Sequence, residues 1–144
     1  HYVLMGIETL GLRMERHVEN AMRVAEWLEA DPRVAEVTYA GLPGSPWNER
    51  VQRLYPKGAG ALFTIRLKGG YDACVAAIEK LQMISHVANL GDARTLAIHP
   101  ASTTHSQLTQ EQQIAAGAGP DLVRLSIGIE NPEDIIADLD RALG

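Results

Sequence analysis

Cysteine is nearly absent. Cys74 is the only one in 144 residues, which excludes an internal disulfide and accords with a reducing, cytoplasmic setting. Aromatic residues make up 5%, so any core must be mostly aliphatic. No apolar run approaches the ~18 residues that a membrane span requires, and no basic segment followed by an apolar one opens the chain. Membrane and secretory roles are therefore not expected. Basic charge is sparse and dispersed: 13 Lys and Arg are interleaved with 18 Asp and Glu, for a net charge of −5. The electrostatic stripe of a nucleic-acid binder is missing. Repeats and low-complexity segments are missing too. What remains, 46% hydrophobic and 22% charged residues, is the composition of one ordinary globular domain.

Periodicity divides the chain into elements. Ile7, Leu10, Met14, Val18, Ala21, Met22, Ala25 and Leu28 recur at three- and four-residue steps, which predicts one long amphipathic helix stopping near Asp31–Pro32. A short strand over Val34–Tyr39 follows, then a Gly- and Pro-rich loop and a short helix near Glu49–Leu54. From Ala61 to Leu67, Ala61, Phe63, Ile65 and Leu67 alternate with Leu62, Thr64 and Arg66, the signature of a half-buried strand. Gly69–Gly70 turns into a helix bearing Cys74, Val75, Ile78 and Leu81. Thr95–Ile98 reads as another strand, and Thr109 with Gln112 has capping-box spacing for a short helix ending at Gly117. The clearest strand runs from Val123 to Glu130. The last helix begins with Asn131 as N-cap and Pro132 at its first position. Together these predict an α+β domain, a small and largely antiparallel sheet with helices on one face.

The alternation around Arg124 carries a functional consequence. Val123 and Leu125 must face the helices, so Arg124 faces the uncovered side, where its planar fork of donors suits a carboxylate or phosphate. A plain ion pair with Glu130 or an acid on a neighbouring strand is the competing reading. Between His86 and His105 lies a long loop-like stretch of small and polar residues, a place where function concentrates. Its histidines are too widely spaced for a metal motif. Ser102, Thr103 and Thr104 stand beside histidines, but no strained nucleophile turn accompanies them. Gly58-Ala-Gly60 and Gly117-Ala-Gly119 lack a P-loop's context and read as turns. Taken alone, these residues lead to an α+β domain with an anion-binding arginine, compatible with a free-standing binding module whose open sheet face meets a partner.

Two stretches go further. NLGDARTLAIHPASTTH, within His86–His105, and VRLSIGIE, over Val123–Glu130, closely resemble the C-terminal signature of the Cys/Met-metabolism family of pyridoxal-phosphate enzymes. GIETLGLRMERHVENAMRVAEWL resembles the helix leading into that domain, so the likeness spans the whole chain. The resemblance implies the C-terminal domain of a fold-type I transferase over residues 1–144. A preceding domain would carry pyridoxal 5'-phosphate and its lysine, and the intact protein would be a homotetramer. The opening on His1 inside an apolar periodic stretch fits that expectation. The lysines Lys57, Lys68 and Lys80 stand in PKG, LKG and EKL, unlike the family's Ser-x-Thr-Lys, so the chain by itself is expected to be inactive.

The same resemblance assigns Arg124 to the α-carboxylate of an amino-acid substrate. It places Asn89 and Leu90 beside that carboxylate, Asn89 standing where related lyases and synthases often have serine, and it puts Thr104 close to the pocket. Asn89, the PKGAGALF segment at Pro56–Phe63 and the Thr103–Thr104 pair are more similar to the branch that replaces the acetate of O-acetylhomoserine with sulfide or methanethiol. Methionine γ-lyases and cystathionine synthases or lyases are the alternatives within the family.

Overall fold

The computed structural model describes residues 1–144. Helix α1 (Tyr2–Glu8) and helix α2 (Leu10–Glu29) are separated by a single residue, Thr9, so the expected long helix is interrupted once. Low helix propensity at Gly6, Thr9 and Gly11 accounts for the weak point. Strand β1 (Val34–Thr38), helix α3 (Asn48–Leu54), strand β2 (Leu62–Leu67) and helix α4 (Gly70–Lys80) follow. Next come two short strands, β3 (Ser85–His86) and β4 (Leu96–Ile98), a 3₁₀ turn at Pro100–Ser102, helix α5 (Gln110–Ala115), strand β5 (Leu122–Ser126) and helix α6 (Pro132–Leu143).

The five strands lie in the order β1-β2-β5-β4-β3, with every pairing antiparallel except β3 with β4. The expected α+β class with a largely antiparallel sheet is what the chain forms. Phe63, Ile65, Leu67, Ala97, Val123, Leu125 and Ile127 point into one core with Ala21, Val24, Ala25 and Leu28 of α2, Cys74, Ala77 and Ile78 of α4, and Ile135 and Leu139 of α6. Burying each of the larger aliphatic side chains contributes about 1.5–3 kcal/mol. The core is aliphatic apart from Cys74 and two aromatic residues, Tyr39 and Phe63, whose rings meet at 5.3 Å.

Several local devices appear where the sequence placed them. Thr109 and Gln112 form a reciprocal capping box at the start of α5, and the Asn131 side chain accepts from Glu133 N ahead of α6. Three differences stand out. Ile7, Leu10 and Met14, expected on a buried stripe, are exposed, and α1 buries nothing, since the packing of α2 on the core begins only at His17. Strand pairing of β5 stops at Ser126 instead of continuing to Glu130, since Ile127–Glu130 is taken up by bonds to α2 and to residues 93–95. The sheet face opposite the helices is only partly open. Leu96, Ile98, Leu122 and Ser126 are buried there, and the 3₁₀ turn packs on β5.

Two acidic side chains hold the elements together. Asp138 of α6 is buried and accepts the backbone N–H groups of Gln82 (3.1 Å), Met83 (3.0 Å) and Ile84 (2.9 Å), with Arg141 also bound to it. The chain leaving α4 is thereby fixed onto α6. Asp31 accepts from Arg33 at the corner between α2 and β1. Arg33 in turn reaches Asp140 Oδ1 (2.6 Å) and the Gly144 carbonyl (2.9 Å) at the end of α6.

Asp138→Ala strands three backbone donors in a buried place and is expected to cost roughly 3–5 kcal/mol in urea unfolding, with Asp138→Asn milder. Hydrogen bonds from the Arg33 side chain hold the Asp31 carboxyl below its ordinary value against the opposing effect of burial. Its stabilising contribution is therefore complete above the unfolded value of about 4 and is lost as pH falls through the lower folded value. Urea midpoints taken across the acid range should fall less steeply for Asp31→Asn than for the unsubstituted chain.

Candidate functional site

Arg124 sits in β5, the middle strand of the sheet, with Thr64 of β2 opposite it on one side and Ile98 of β4 on the other. Its neighbours Val123 and Leu125 are buried in the core, so strand alternation turns the guanidinium to the other face, where the residue is half-buried. No carboxylate pairs with it. Its one hydrogen bond runs from Nη2 to the Asn89 carbonyl oxygen at 3.3 Å.

The acids that might have neutralised Arg124 are engaged elsewhere. Glu130 accepts from Thr95 N (2.6 Å) and Thr95 Oγ1 (2.8 Å). Asp121 pairs with Arg66, the other arginine of the sheet, which also meets Glu36 at 3.4 Å. Asp92 is held below the ordinary carboxylate range by the backbone N–H of Arg94 and then by its guanidinium. Arg124 thus has most of its donors without a partner among these residues.

The loop that meets Arg124 carries Asn89 and Leu90, both exposed. Asn89 presents its main chain to the guanidinium, while its side-chain Oδ1 accepts from Leu90 N at 2.9 Å. Gly91 follows in the left-handed region at φ 71°, a conformation that lets the loop turn back without Cβ strain. Thr104 is exposed, and its hydroxyl lies 2.8 Å from His105 Nδ1. Among the residues read from the sequence, Arg124 and Asn89 are joined by a direct bond and Leu90 adjoins them. Thr104 makes no hydrogen bond to any of the three.

Other candidate groups have structural partners. His99 is buried, donates from Nε2 to the Pro120 carbonyl (2.8 Å), takes the Ser102 hydroxyl on Nδ1 (2.9 Å) and stacks edge-on against Tyr71 at 4.8 Å. The Ser102–His99 pair has no carboxylate behind it and works as a latch for the chain after β4. Burial, aided by the nearby Asp121 charge, pushes the Cys74 thiol up to about 12, which removes it as a nucleophile near neutral pH. The main cleft, of about 450 Å³, lies away from Arg124, between Met14 and Val18 of α2 and the Leu54–Gly58 segment. Lys57 lines that cleft, Lys68 donates to Pro32 O (2.6 Å) and Lys80 ends α4. None of the three bonds to residues around Arg124.

One set of contacts was not foreseen from the sequence. His17 and Asn20 of α2 are buried and bind the backbone of Ile127, Gly128 and Glu130. The available signal was a pair of polar residues three apart beside the buried stripe Ala21, Val24 and Leu28.

The architecture has a close counterpart. A Campylobacter jejuni protein described as an O-acetylhomoserine (thiol)-lyase, crystallised with its pyridoxyl-lysine adduct, superposes with a TM-score of 0.90 and 40% identity over 97% of this chain and 33% of that one. The fold is that of the C-terminal domain of fold-type I pyridoxal-phosphate enzymes. O-acetyl-L-homoserine sulfhydrylase 1 of Thermus thermophilus is 55% identical over 98% of this chain and 34% of its own length. L-methionine gamma-lyase of Fusobacterium nucleatum is 44% identical over 99% of this chain and 36% of its own. The sequence profile described as Cys/Met metabolism PLP-dependent enzyme matches residues 1–144, and the chain belongs to that family. It spans about a third of the length of these relatives.

Because Arg124 has no ion-pair partner to lose, Arg124→Ala should change the urea midpoint by less than about 1 kcal/mol equivalent, in contrast to Asp138→Ala. A large loss of stability would mean that the arginine is a structural element.

Proposed function

We propose that residues 1–144 are the C-terminal, substrate-side domain of a pyridoxal-phosphate transferase. Its reaction is the replacement of the acetate of O-acetylhomoserine by sulfide or methanethiol, giving homocysteine or methionine. The observation that carries this reading is a guanidinium fixed by the central strand, facing away from the core, with no carboxylate of its own. An α-carboxylate is the planar, doubly accepting anion that such a fork binds. The names of the relatives support the choice of O-acetylhomoserine.

Arg124 binds and orients. Its charge persists at every working pH, so it moves no proton and contributes by holding the amino acid in one pose. The Asn89–Leu90 segment closes over the same end of the substrate, and Thr104 stands at the margin of the pocket. Pyridoxal phosphate, supplied with its lysine by the remainder of the polypeptide, provides the electron sink. The buried thiol of Cys74 accords with a reducing, cytoplasmic setting, and the exposed apolar residues of α1 accord with assembly into a larger homo-oligomer, a tetramer in this reading.

A γ-lyase acting on methionine is the second reading, favoured by the likeness to the Fusobacterium enzyme. Both reactions place an amino-acid carboxylate on Arg124, so the arginine does not separate them.

The test is kinetic, in the intact enzyme containing this domain. Arg124→Ala is expected to raise the KM for O-acetylhomoserine about 100-fold or more, with the sulfide KM little changed. Arg124→Lys should be intermediate, because an ammonium cannot reproduce the two-pronged contact. Unchanged kinetics would remove Arg124 from the site. Turnover of methionine alone exceeding turnover of O-acetylhomoserine with sulfide would establish the lyase instead.

A further inference from the structure

The segment after β5, Ile127–Glu130, is gripped from two sides. On the α2 side, His17 Nδ1 donates to the Ile127 carbonyl at 2.6 Å, and Asn20 Nδ2 donates to the carbonyls of Gly128 (3.0 Å) and Glu130 (2.8 Å). On the other side, Ile129 N donates to Ala93 O at 2.9 Å and Gly128 N to Thr95 Oγ1 at 2.9 Å. The Thr95 hydroxyl gives its single proton to Glu130, whose other carboxylate oxygen takes Thr95 N. Thr95 is 0% exposed. Gly128 leaves no slack, since a Cβ there would lie 2.4 Å from Ala93 O and 2.5 Å from the Arg94 carbonyl carbon.

The loop over Arg124 hangs from this knot. Val87 to Gly91 are all exposed. Between Val87 and Arg94, the hydrogen bonds to distant parts of the chain are Ile129 N to Ala93 O and Arg124 Nη2 to Asn89 O. The second is a single bond of 3.3 Å. It is too weak to place an exposed loop, whereas the several bonds on the buried Thr95, together with the one at Ala93, fix the loop's end.

We propose that Thr95 and Glu130, backed by His17 and Asn20, are the positioning residues of the Arg124 site. They hold the Ala93 end of the loop so that the Asn89 carbonyl engages one guanidinium nitrogen and leaves the remaining donors directed at the substrate carboxylate. They touch no substrate. This inference rests on the carboxylate role proposed for Arg124.

The test is a double-mutant cycle in the intact enzyme, with O-acetylhomoserine and sulfide as substrates. Thr95→Val removes the hydroxyl while keeping the shape. It should raise the KM for O-acetylhomoserine on the order of tenfold, with kcat and the sulfide KM within roughly twofold. Thr95→Ser should restore the KM. In an Arg124→Ala background, Thr95→Val should add nothing, because the loop has no guanidinium left to align. An equal KM increase in both backgrounds, a loss of kcat with KM intact, or no rescue by serine would overturn the positioning role alone. An Arg124→Ala enzyme with an unchanged KM would instead overturn the carboxylate reading beneath it. If Thr95→Val fails to fold, Glu130→Gln serves in its place: it keeps an acceptor for Thr95 N, sets an amide against the hydroxyl, and should show the same KM-only, Arg124-dependent effect.

Discussion

The antiparallel register between β2 and β5 puts Phe63 opposite Leu125 and Thr64 opposite Arg124, and the rest of the domain depends on it. Both strands alternate with period two, so a slip of one residue would carry Leu125 out of the core and Arg124 into it. An unpaired guanidinium facing the aliphatic surfaces of α2, α4 and α6 would be prohibitively costly. The pairing that builds the core is therefore also the pairing that delivers a charged side chain to the opposite face. Stability and site share one constraint.

Charge is distributed in keeping with that division. Arg66, on the same sheet face, is satisfied by Asp121 and Glu36, and Arg33 by Asp31 and Asp140. These pairs lie at corners and ends, where they tie elements together. Arg124 alone in the sheet is given a carbonyl and no carboxylate. Leaving it so forgoes little stability, because a half-exposed ion pair is worth at most about 1 kcal/mol, and it preserves the donors that the proposed carboxylate contact would use. The first acid after it along the chain, Glu130, is spent on Thr95, which removes a competitor and anchors the adjoining loop at once.

Much of this was legible in the residues. Five helices and the sheet follow from periodicity, capping signals and prolines, the break at Thr9 that splits the first of them does not, and the face of Arg124 follows from Val123 and Leu125 on either side of it. The resemblance of VRLSIGIE and NLGDARTLAIHPASTTH to a known family is what suggests a carboxylate and a reaction, which spacing alone does not contain. Less visible were the two-residue strand β3, too short for any pattern, and the partial cover over Leu96, Ile98 and Leu122, which comes from loops with no periodicity. Glu130 read as one more alternating strand residue, because its partner Thr95 is 35 positions away.

The sequence by itself determined the element types, the α+β class and the side of the sheet on which Arg124 lies, because these are local consequences of period and propensity. It also determined, through its motifs, the family. Only the tertiary structure decided that Arg124 has no acid partner, that Asn89 meets it through a backbone carbonyl, and that His17, Asn20, Thr95 and Glu130 converge on one four-residue segment. Such facts depend on which distant atoms come within about 3 Å of one another. Hydrophobic pattern sets faces, but the meeting of particular donors and acceptors across the chain is settled only when the faces pack.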